Sequence, residues 1–194
     1  MRAYPSAAGS PIGWRRRAQY RVRQFWQGLA ARVSPEERDL VAAALPPAAL
    51  AIFTRMPVDA QRHSLNVLYA VRRAGIVDAD LDAAALLHDA GKLAADEAGV
   101  RLSPWLRGPL VLLEAWAPAI LRRAAHADPA RGWRYAVYVH FEHPRLGAEQ
   151  ARHAGCSELT CWLIAHHQGA AASVACAERK RMLLEALQRA DDAY

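Results

Sequence analysis

Side chains able to ligate a metal recur along this chain, each on or at the end of a helix-like segment: His63, His88 with Asp89, His143, His166 with His167, and Asp191. No other feature constrains the fold as much. A histidine or aspartate on an apolar stripe must be satisfied once it is buried, because an unpaired polar group or charge in the interior is costly. Several helices must therefore turn these groups toward one another. Imidazole nitrogen and carboxylate oxygen are donors that a borderline transition-metal ion accepts, and seven such groups suffice for one ion or two. A lone inward histidine more often hydrogen-bonds within a core than binds a metal. Four inward groups that include two carboxylates are most simply compensated by a divalent cation.

The helix punctuation is dense. Ser34-Pro35-Glu36-Glu37 is a helix start, with a capping serine, proline in the first turn and glutamate three residues on. Pro46-Pro47 punctuates, and a short helix follows to about Met56. The segment Pro57 to Ala74 carries Ala60, His63, Val67, Ala70, Val71 and Ala74 on one stripe and stops at Gly75. Asp78 caps a helix predicted to run to Gly91, with Leu81, Ala84, Ala85, His88 and Asp89 facing inward. Ser103-Pro104 opens another helix, interrupted near Pro118. Residues 133–142 fit either a strand, through the alternation of Tyr135, Val137 and Val139, or a helix. Leu146 to Ala154 reads as a helix closed by Gly155, and Ser157 caps a helix to His167. The last helix, about Ala177 to Asp192, places Leu184, Leu187 and Asp191 on one stripe. Strand signals are otherwise nearly absent, which predicts an all-α bundle with a metal site between core helices.

The 194 residues are 53% hydrophobic, enough for one packed domain and an appendage. The net charge of +6 belongs to the appendage. Residues 1–33 hold seven arginines and no acid, which leaves 18 basic against 19 acidic groups in the rest. The division is therefore a basic N-terminal tail and amphipathic helix over 1–33 and a near-neutral domain over 34–194. Within the arm, Trp14 to Val33 presents Ala18, Val22, Phe25, Trp26, Leu29 and Val33 on one stripe. Such a helix either packs on the domain with its arginines solvated or makes weak contact with anionic lipid or RNA. A neutral body argues against a nucleic-acid groove. Cys156, Cys161 and Cys176 form no disulfide framework and read as reduced. No apolar run is long enough to span a membrane, and Arg15 to Arg17 are not followed by the apolar core of a signal peptide. The expected location is the cytoplasm.

Taken together, His63, the dyad in Leu-Leu-His-Asp-Ala-Gly-Lys (86–92) and Asp191 in Leu-Gln-Arg-Ala-Asp (187–191) resemble the HD superfamily of metal-dependent phosphohydrolases over about residues 56–192. The resemblance implies an all-helical HD-domain bundle in which these four residues bind the catalytic metal. His143 in His-Pro-Arg-Leu-Gly-Ala (143–148) and the pair His166-His167 are similar to the family's subset that holds two metals. His140 reads as a packed or surface residue, with a supporting contact to His143 as the alternative. His126 and His153 read as surface residues. The cyclic di-GMP branch follows its paired histidines with Gly-Tyr-Pro, whereas this chain has Gln168-Gly169-Ala170-Ala171. That substrate is a poor match, and the likeness to branches acting on cyclic di-AMP or diadenosine polyphosphates rests on ligand order alone.

The implied reaction is hydrolysis of a nucleotide phosphomonoester or phosphodiester by metal-activated water. Histidine-rich donors place iron, manganese or zinc ahead of magnesium. Asp89 is the candidate bridging ligand that also orients water. Lys92, one of only two lysines beside 23 arginines, is the candidate phosphate contact. Arg145 is a further substrate-binding candidate, with Arg101 and Arg107 behind it. The alternative is a catalytically inactive HD-fold module that binds a nucleotide or regulates a partner.

Overall fold

The computed structural model describes residues 32–100, 117–169 and 176–194. Among these residues it is an all-α bundle of nine helices, without strands. In chain order they are α1 (Pro35–Ala44), α2 (Pro47–Arg55), α3 (Val58–Arg73), α4 (Ala79–Leu87), α5 (Leu93–Glu97), α6 (Pro118–Ala124), α7 (Trp133–His153), α8 (Glu158–His166) and α9 (Glu178–Asp192). Short 3-10 turns cover Ala90–Lys92 and Pro129–Arg131. No helix among the described residues is long and apolar enough to cross a membrane. The predicted helix opening at Ser103 and most of the basic arm lie outside the described residues. Of the arm, Arg32 and Val33 are non-helical, and Val33 packs on the core.

Local sequence explains most helix ends. Ser34 and Glu37 close a reciprocal capping box on α1, Asp78 caps α4 by accepting from the N–H groups of Asp80 and Leu81, and Ser157 caps α8. α3 ends before Gly75, whose φ of 77° suits glycine.

Four expectations need correction. The inner face of α4 is not a stripe, because every residue from Leu81 to Leu87 is buried. This short helix is the centre of the bundle, packed between α3, α8 and α9. It also ends at Leu87 rather than running to Gly91, and the chain turns through a 3-10 segment at Ala90–Lys92. On α3, Ala74 is exposed, while Ser64, Leu65 and Leu68 join Val67 and Val71 inside. Finally, residues 133–142 and 146–154 are not separate. They form one 21-residue helix with Pro144 inside it. A proline in a helix interior costs about 3 kcal/mol. Here burial of Ala136, Val137 and Val139 on one side and Gly147, Ala148 and Ala151 on the other holds α7 together across it.

α1 is tied to α3 by a polar cluster. Arg62 donates from Nη1 to Glu37 Oε1 at 2.8 Å, and the Tyr69 hydroxyl donates to the same oxygen at 3.1 Å. The Arg62 hydrogen bond, working against partial burial, lowers the Glu37 carboxyl from 4.5 to about 2. A depressed carboxyl stabilises the fold above its unfolded value and ceases to do so as pH falls through its folded value. Glu37→Gln should therefore cost about 1 kcal/mol at pH 7, after discounting for solvent screening. The difference from wild type should shrink as pH falls from about 4.5 toward 2, as read by urea unfolding across that range.

Candidate metal centre

Five helices or helix ends deliver donors to one end of the bundle. His63 comes from the first half of α3, His88 and Asp89 from the turn after α4, His143 from the middle of α7, His167 from the end of α8, and Asp191 from the end of α9. His63 Nε2 lies 2.9 Å from Asp191 Oδ1 and 3.3 Å from His88 Nε2, and His88 Nε2 lies 3.4 Å from the same Asp191 oxygen. Asp89 is shared between two groups of donors. Its Oδ2 lies 3.8 Å from His88 Nε2, while its Oδ1 lies 3.4 Å from His143 Nε2 and 4.0 Å from His167 Nε2. Within each group, His63-His88-Asp89 and Asp89-His143-His167, the donor atoms lie within 4.8 Å of one another.

The arrangement is a bowl. His88, His143 and His167 are its fully covered floor, while His63, Asp191 and Lys92 form a rim with side chains 21%, 27% and 50% exposed. A cation fits the donors on the floor. The Nε2 atoms of His143 and His167 are buried without a hydrogen-bond partner, and both face Asp89 Oδ1. Two orphaned nitrogens around a buried carboxylate are costly unless a Lewis acid or a proton takes their lone pairs.

Two glycines make the bowl this tight. A Cβ on Gly91 would lie 2.1 Å from the His143 carbonyl oxygen and 2.6 Å from the Gly147 nitrogen, and one on Gly147 would lie 3.0 Å from the Gly91 nitrogen. The turn carrying Asp89 can therefore touch the backbone of α7 only because both positions lack a side chain.

Electrostatics agree with this geometry. Burial works against charge on Asp89, but the His88 and Lys92 charges outweigh it and hold the carboxyl well below the usual range. Asp191 is held low in the same way: burial opposes its charge, and its contacts with His63 and His88 prevail. Burial opposes protonation of His88 too, yet Asp89 and Asp191 raise it above 6.5. His167, desolvated and beside His88, falls to about 4.

Not every candidate arrives at the bowl. His166 belongs to neither donor group. Its ring stacks on Trp162 at 4.6 Å, its Nδ1 donates to the Trp162 carbonyl, and Gln188 donates to its own carbonyl at 3.2 Å. Arg145 is engaged on the exposed side of α7 by Glu142, Glu149 and the Tyr138 hydroxyl. The acids at i−3 and i+4 were the sequence sign of this. Lys92 does reach the site, with Nζ 2.7 Å from Asp89 Oδ2. His140 contributes its backbone carbonyl to His143 Nδ1 at 2.7 Å, and its ring is exposed. His153 is exposed as expected, whereas His126 is half-buried and accepts from the Asp128 N–H. Arg101 and Arg107 lie outside the described residues. Reading the sequence alone missed Gly91, Gly147 and Gln188. A scan against protein-family models finds no match, and neither do searches of curated proteins and of solved structures.

Two outcomes follow. Gly91→Ala should destabilise the fold by about 1–3 kcal/mol or more through backbone overlap with α7, and should weaken divalent-metal binding, both measurable by unfolding with and without zinc. Metal binding should release protons, because His88, raised above 6.5, must be neutral to ligate. Affinity should therefore fall as pH is lowered. Calorimetry in buffers of different ionisation enthalpy reads the proton count.

Proposed function

We propose that this chain is a metal-dependent phosphohydrolase of the HD type that cleaves a nucleotide phosphomonoester or phosphodiester. The observation that carries this reading is the Asp89 carboxylate, which addresses His88 with one oxygen and His143 and His167 with the other. His63, His88, Asp89 and Asp191 would hold one divalent cation. Asp89, His143 and His167 would hold a second. Imidazole-rich donors favour iron, manganese or zinc over magnesium. When bound, such an ion supplies positive charge against a phosphoryl group and acidifies water at neutral pH.

The chain's own residues supply the rest. The floor histidines exclude solvent and keep their Nε2 lone pairs fixed. Asp89 orients water in line with the phosphorus. Lys92 sits at the exposed rim on a flexible stem. It neutralises Asp89 here and can turn from that carboxylate to a phosphate oxygen when other positive charge faces Asp89. The rim of His63, Asp191 and Lys92 is where an anionic substrate would enter. A chain built only to bind a nucleotide would not need to bury a carboxylate against two partnerless imidazoles, and this disfavours the inactive-module alternative. Contact of residues 14–33 with anionic lipid or RNA is supported by the charge of that segment alone.

The test is a panel of mononucleotides, cyclic dinucleotides and dinucleoside polyphosphates offered to the manganese- or iron-loaded protein. At least one should be hydrolysed. Asp89→Asn should lower the rate by ~10²-fold or more, consistent with loss of a group that positions the nucleophile. Lys92→Ala should act chiefly on kcat/KM. A metal-loaded protein inert toward the whole panel would count against the enzyme reading.

A further inference from the structure

Each floor histidine donates from Nδ1 to the carbonyl three residues before it: His88 to Ala85 at 3.0 Å, His143 to His140 at 2.7 Å and His167 to Ile164 at 2.8 Å. A carbonyl only accepts, so in the neutral ring Nδ1 holds the proton and Nε2 keeps its lone pair facing the bowl. In a continuing helix, however, that carbonyl is already the acceptor for the backbone N–H of the residue just after the histidine. His88 and His167 escape this competition by position. α4 ends at Leu87 and α8 at His166, and the last carbonyls of a helix have no intrahelical donor. His143 has no such escape, because α7 runs on to His153. At the one competing position stands Pro144, which has no N–H.

We infer that Pro144 is a positioning residue for His143: by lacking an N–H it reserves the His140 carbonyl for the imidazole, and so fixes the tautomer that presents Nε2 beside Asp89. A helix end does this work at His88 and His167, and a proline does it where the helix must continue. The tautomer belongs to the metal-free chain. Only its consequence for affinity rests on the phosphohydrolase and metal-site reading.

The experiment is imidazole nitrogen NMR on the full chain without metal, followed by zinc titration. It compares wild type, Pro144→Ala and a chain with lactic acid in place of Pro144. Lactic acid restores an open backbone but, like proline, brings no N–H. Wild type should show His143 wholly in the Nδ1–H form. Pro144→Ala should show mixed tautomers and ~10-fold weaker zinc binding, the scale of losing a partner that orients a ligand. Its melting temperature should be equal or higher, because α7 regains a helical bond. The lactic acid chain should recover the wild-type tautomer. A Pro144→Ala chain with His143 still wholly Nδ1–H, or a lactic acid chain with mixed tautomers, overturns the inference. If Pro144→Ala does not fold, the lactic acid chain decides alone by the same criterion. Expected tautomers in all chains with zinc bound by none would leave the inference standing and remove the metal reading.

Discussion

A carboxylate taken out of water costs several kcal/mol unless positive charge and hydrogen bonds surround it. Asp89 is in that position, with its side chain 11% exposed at the turn after the central helix. Lys92 reaches one of its oxygens, while two buried imidazole nitrogens without hydrogen-bond partners face the other. The rest of this end of the bundle can be understood as the means of putting a charge there and keeping water out. α4 is buried on all sides, so the turn that follows it is fixed in the interior. Gly91 and Gly147 let that turn meet the backbone of α7, which brings His143 to Asp89.

The donors divide by accessibility as well as by position. The floor is rigid: three rings are locked through Nδ1 to carbonyls of their own helices. The rim holds His63, Asp191 and the flexible Lys92, all partly exposed. Under the proposed reading, a floor held by these hydrogen bonds and one open side bearing an ammonium would suit an anionic ligand that arrives after a cation.

Much of this was legible in the sequence. His63, His88 and Asp191 could be placed inward because each sits on or beside a helical stripe whose apolar members are identifiable, and Asp78, Ser34 and Ser157 announce their helices through capping chemistry. What could not be read depended on contacts between distant segments. Gly91 looks like a helix cap, but its lack of a side chain matters because α7 lies against it. Pro144 reads as a breaker by its local rule, and only tertiary burial on both sides of it makes α7 one helix. The paired histidines carry no sign of which faces the bowl. That depends on where α8 stops, which leaves the Ile164 carbonyl to His167 and turns His166 onto Trp162.

The donors around Asp89 are close enough to hold a cation. The most direct measurement is anomalous X-ray scattering at the metal edge from crystals grown with manganese or zinc. Anomalous density is expected within bonding distance of the Asp89 carboxylate and of imidazole Nε2 atoms from the floor. Crystals at saturating metal with no anomalous density in the bowl would contradict that expectation.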